Sequence, residues 1–91
     1  MEDWLIESSK KFESARYLSK EEKIVLKYFL ENVSVGDLRA IADLSKKGIE
    51  NPENVIESLI EKGFLERGND CFNLSYYLRI FVSRRGMPNF D

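Results

Sequence analysis

The chain has 91 residues, 43% of them hydrophobic, 12% aromatic and 33% charged, with 14 lysines and arginines against 16 acidic residues and a formal net charge of −2. A chain of this length makes one domain and buries roughly 60–65% of its unfolded surface, enough for a single modest core. The composition is too apolar for disorder, and no apolar run approaches the roughly 18 residues that span a bilayer, so no membrane partner is expected. The opening Met1-Glu2-Asp3-Trp4 fits neither a signal nor a transit peptide, which points to a cytoplasmic location.

In chain order, the first predicted element is a helix from Asp3 to Arg16, with Trp4, Leu5, Ser8, Phe12 and Ala15 on one broad side. That side is thin and broken by Ser8, so the helix needs a partner surface. The second is announced by Ser19-Lys20-Glu21-Glu22, which fits the capping box. Val25, Leu26, Phe29, Leu30 and Val33 follow at helical spacing, flanked by Ile24 and Tyr28, and predict the heart of the core.

Ser34-Val35-Gly36-Asp37 is a break with room for one or two extended residues. A short helix follows with Leu38, Ile41 and Ala42 on its apolar side, ending near Leu44-Ser45. Asn51-Pro52 then starts a helix with Asn as cap and Pro at the first position, Val55, Ile56, Leu59 and Ile60 as the buried stripe, and Gly63 as a left-handed stop.

After Gly63 the period shortens. Phe64-Leu65-Glu66-Arg67 and Cys71-Phe72-Asn73-Leu74 read as two strands joined by Gly68-Asn69-Asp70. Ser75 can cap a last helix carrying Tyr77, Leu78, Phe81 and Val82, which Gly86 and Pro88 end. The fold class is therefore mainly α with a small β-hairpin: a winged helix-turn-helix with extra N- and C-terminal helices. The N-terminal helix takes residues 1–17, the winged-helix domain 18–86 and a tail 87–91.

No histidine is present, and Cys71 is the single cysteine. The commonest general base and the commonest metal ligands are thus missing, so neither an enzyme nor a cofactor or metal site is expected. Two recognition roles remain.

A winged helix conventionally reads DNA with the helix that here starts at Pro52. Its outer face would carry Glu53, Asn54, Glu57, Ser58 and Glu61, with Lys62 at the end. Three carboxylates against one lysine oppose a polyanion. The DNA-contact candidates are Lys46 and Lys47 in the preceding turn, Asn54 and Ser58 for base edges, and Arg67 at the wing. For protein docking the candidates are Trp4, Leu5 and Phe12 on the first helix and Tyr76, Tyr77 and Ile80 on the last, an aromatic load beyond what one core covers. Their occupant would be a protein partner, a neighbouring domain of a larger chain or a second copy in a homodimer. The charge argument ranks docking ahead of DNA.

Three segments carry a family resemblance. Leu18-Ser19-Lys20-Glu21-Glu22 opens the core helix, and Gly63-Phe64-Leu65-Glu66-Arg67 leads into the wing. Phe72-Asn73-Leu74-Ser75 runs straight into Tyr76-Tyr77-Leu78-Arg79-Ile80-Phe81-Val82. From Leu18 onward the chain resembles the winged helix appended to archaeal AAA-type P-loop ATPases. The resemblance implies a non-catalytic accessory module, excised or free-standing. No Gly-x-x-x-x-Gly-Lys-Ser/Thr occurs, so no nucleotide site is carried over.

Overall fold

The element that organises the fold starts at Ser19. In a computed structural model describing the backbone of residues 3–88 and the side chains of residues 5–88, the Ser19 hydroxyl accepts from the Glu22 N–H at 3.1 Å. The Glu22 carboxylate accepts from the Ser19 N–H at 3.0 Å, completing the capping box. The helix it opens, α2 (Lys20–Asn32), turns Val25, Leu26, Phe29 and Leu30 into the core.

Around it lie α1 (Asp3–Ser14) with a 3₁₀ turn at Ala15–Tyr17, β1 (Ser34–Gly36), α3 (Asp37–Lys46), α4 (Pro52–Glu61), β2 (Leu65–Gly68), β3 (Cys71–Leu74) and α5 (Tyr76–Arg85). The protein is mainly α with a small antiparallel sheet, an arrangement compatible with a winged helix. The sheet has a third strand that the sequence only hinted at, in the order β1-β3-β2. Val35 stands opposite Phe72, and both are buried, so the short break after α2 is extended because its middle residue fills the core.

Between α2 and β1 sits Val33 with φ 63° and ψ −51°. A β-branched residue in this region is strained, at a cost on the order of 1–3 kcal/mol. Hydrogen bonds hold it from both sides: its N–H donates to Phe29 O at 2.7 Å, and its carbonyl accepts from the Leu74 N–H at 2.8 Å. Val33→Gly is therefore expected to leave stability unchanged or raise it by about 1 kcal/mol, despite deleting a half-buried side chain. A drop of the urea midpoint equivalent to more than about 1 kcal/mol would show that no strain is relieved.

Helix α3 is rotated from the orientation its large apolar residues suggest. Leu38 is 80% exposed, Ala42 is exposed and Ile41 half-buried, while Ala40 and Leu44 fill the core. Three observations are consistent with this rotation. Ala40 occupies a site with no exposure, the Tyr28 hydroxyl donates to Asp43 Oδ2 at 2.6 Å, and the Asp37 N–H donates to Asp70 O at 3.0 Å. Burial, then the Asp43 carboxylate, push the Tyr28 phenol up to about 12.

Helix α4 begins at Pro52 as expected, but Asn51 makes no side-chain cap. It is closed by Gly63, whose φ of +85° lets its N–H donate to Ile60 O and the Phe64 N–H reach Leu59 O, a Schellman closure. Ser75 precedes α5 without capping it; its hydroxyl donates to Gly63 O at 2.8 Å instead. The terminal helices pack on one another. Phe12 meets Phe81 at 5.1 Å between ring centres, and the fully buried Ser8 hydroxyl donates to Tyr77 O at 3.1 Å. The serine that breaks the apolar side of α1 is thus a satisfied polar contact inside the α1–α5 seam.

Candidate functional site

Among the described residues, the ionisable group shifted furthest is the Glu22 carboxylate. Burial pushes its pKa up, but three hydrogen bonds outweigh that and hold it at about 2. The donors are Lys62 Nζ at 2.7 Å, the Ser19 N–H at 3.0 Å and Ser58 Oγ at 2.7 Å. A perturbed carboxylate is a reason to look for catalysis. Here every partner is internal and the group joins α2 to α4, so its work is structural. Among the described residues no group of three or more His, Cys, Asp or Glu side chains could hold a metal ion.

The DNA-contact candidates do not converge. Lys46 and Lys47 are exposed at the end of α3, lining a cleft of about 360 Å³ with Tyr28, Glu31, Asn32 and Asp43. Asn54 is exposed on α4 among Glu53, Glu57 and Glu61. Ser58 is turned away from that face, because the hydrogen bond to Glu22 draws it toward α2. Arg67 is paired with Glu57 and lies over the Phe72 ring at 5.2 Å. The recognition-helix position therefore presents an acidic face whose nearest wing cation is already engaged.

The docking candidates divide in the same way. Phe12, expected to be partly exposed, is 6% exposed because Phe81 covers it. Leu5 and Ile80 are half-buried, and the Trp4 side chain lies outside the described residues. Tyr77 is half-buried with its hydroxyl 3.3 Å from Gly63 O, and burial followed by the Glu7 charge raises its pKa. Tyr76 remains open at 64%, with the Arg79 guanidinium 5.5 Å from its ring centre. Arg79 is itself tied to Glu66 at 2.8 Å.

Two surfaces escaped the sequence reading. One is the uncharged outer stripe of α3, Leu38, Ile41, Ala42 and Ser45, at the i, i+3, i+4, i+7 spacing of one helix face. The signal was present, but a short apolar stripe is assigned to the core by default. The other is the outer face of α2, where Lys20, Lys23 and Lys27 follow at i, i+3 and i+7. Its signal was masked by the stronger apolar periodicity of the opposite face.

Residues 19–80 match the model of the family described as PolB1 Binding Protein 2. The chain belongs to that family. No curated protein matches it. The family match opens on the capping-box serine and runs through the α3 stripe and the whole sheet into α5. Of the large apolar side chains described as exposed, Leu38 and Tyr76 fall inside it, whereas Ile6, Tyr17 and Met87 fall outside. No helix among the described residues is long and apolar enough to cross a membrane.

Proposed function

We propose that this protein is a non-catalytic accessory subunit that binds the polymerase PolB1 through the outward stripe of α3. Membership of the PolB1 Binding Protein 2 family carries the choice of partner. The accessory role inferred from the ATPase resemblance has the same physical content, a small module docking on a larger enzyme. The family favours a polymerase as that enzyme.

The single observation behind the docking face is Leu38, 80% exposed at the head of a stripe with no charge in it. Fully burying such a side chain contributes about 1.5–3 kcal/mol, an incentive that the fold itself leaves unused. Leu38→Glu is expected to weaken PolB1 binding by at least about tenfold in calorimetric titration, and to leave the helical circular dichroism unchanged. Unaltered affinity would remove α3 from the interface. The specific alternative is the α5 face, since an open tyrosine beside an arginine is the kind of pair that anchors interfaces. If Tyr76→Ala weakens binding and Leu38→Glu does not, the α5 face is the dock. A homodimer through α3 would show instead as a concentration-dependent mass in sedimentation that Leu38→Glu abolishes.

A further inference from the structure

We infer that the outer face of α2 is a sequence-independent contact for the DNA backbone, on the side of the molecule opposite the helix that a winged helix conventionally inserts into the groove. Helix α2 packs through Glu22, Val25, Leu26, Tyr28, Phe29 and Leu30. Its opposite side turns Lys20, Lys23 and Lys27 outward at one-face spacing, with Lys23 half-buried and the other two exposed. Exposed Lys46 and Lys47 continue this row at the far end, because the cleft they line shares Tyr28, Glu31 and Asn32 with α2. Five cations thus border this side of α2, interrupted by Glu31 and bordered by Glu21 and Asp43.

The composition of this face distinguishes a nucleic-acid backbone from a protein. Protein interfaces are depleted in lysine and anchored by aromatic residues, and α2 shows no exposed aromatic here. Phosphate recognition needs only point charges that can approach the backbone, which lysines supply. With no side chain placed to enter a groove, affinity would be independent of base sequence and strongly dependent on salt. The α4 face is unsuited to the same role, carrying exposed Glu53, Glu57 and Glu61. The two charge faces give an overall acidic chain a local basic side. This inference does not depend on which face binds PolB1, and its test needs no polymerase.

The test is fluorescence anisotropy of a labelled mixed-sequence duplex titrated with the full chain at 50 and 200 mM salt. The wild type is expected to bind weakly at the lower salt and to lose at least tenfold in affinity at the higher. Lys20→Glu/Lys23→Glu should lose about tenfold at low salt and flatten the salt dependence by about one unit of slope per contact removed. Lys46→Ala/Lys47→Ala should lose less, and Leu38→Glu should bind like the wild type. Circular dichroism of each variant separates lost contact from lost fold, and Glu suits the first turn of a helix. Two outcomes overturn the inference. One is wild-type affinity in the α2 double variant. The other is poly-glutamate displacing the duplex as well as heparin does, which would make the face an acidic-peptide site.

Discussion

Glu22→Ala is expected to destabilise the protein by about 3 kcal/mol, a large share of the roughly 5–14 kcal/mol available to a domain of this size. The carboxylate is held at about 2 against an ordinary 4.5, and each unit of that difference corresponds to about 1.4 kcal/mol. Its removal breaks the capping box, orphans the Ser19 N–H and releases Lys62 and Ser58. The pH dependence follows from the direction of the shift. A carboxylate with a lower pKa folded than unfolded contributes fully above about 4.5, and its contribution is lost as the pH falls from 4.5 toward 2. Glu22→Gln keeps an acceptor at the capping position but no charge for Lys62. The stability gap between wild type and this variant should therefore be widest at neutral pH and close through that window. Urea unfolding at pH 7 and pH 3 checks both, and a gap that is the same at the two pH values would contradict the assignment.

Phe29→Ala is expected to cost about 3–5 kcal/mol, whereas Leu38→Ala should change stability by less than about 0.5 kcal/mol. Phe29 has no exposure. Its ring meets Tyr28 edge-on at 5.2 Å within α2 and Phe72 of β3 at 6.5 Å, so it joins the helix to the sheet. Removing the ring leaves a cavity in a close-packed core, which adds to the lost burial. Leu38, by contrast, is similarly apolar by sequence but almost entirely in water. Thermal unfolding of the two variants compares a core position with an open one. Similar losses in both would mean that α3 buries its Leu38 side.

Much of this architecture was legible because its signals are local. The Ser19–Glu22 box, Pro52 at the start of α4, Gly63 at its end and the change of period after Phe64 each act within a few residues. The rotation of α3 was not legible. It rests on Ala40 fitting against the core and on Tyr28 reaching Asp43, 15 residues away, which no periodicity reports. The same holds for β1, a strand by virtue of Phe72 from the other end of the fold. The candidate surfaces suffered most, because a stripe of Leu38, Ile41 and Ala42 looks identical whether it faces the core or a partner. Ser58 and Arg67 illustrate the converse: polar residues counted as available are engaged by Glu22 and Glu57.

The proposed dock for PolB1 is the outward side of α3. Hydrogen exchange of the free chain against its complex with PolB1 tests it most directly, since it needs no substitution. Slowed exchange across residues 37–46, with α5 amides unchanged, is the expected result. Protection confined to residues 76–85, with α3 exchanging as in the free chain, would contradict it and place the interface on the Tyr76 face.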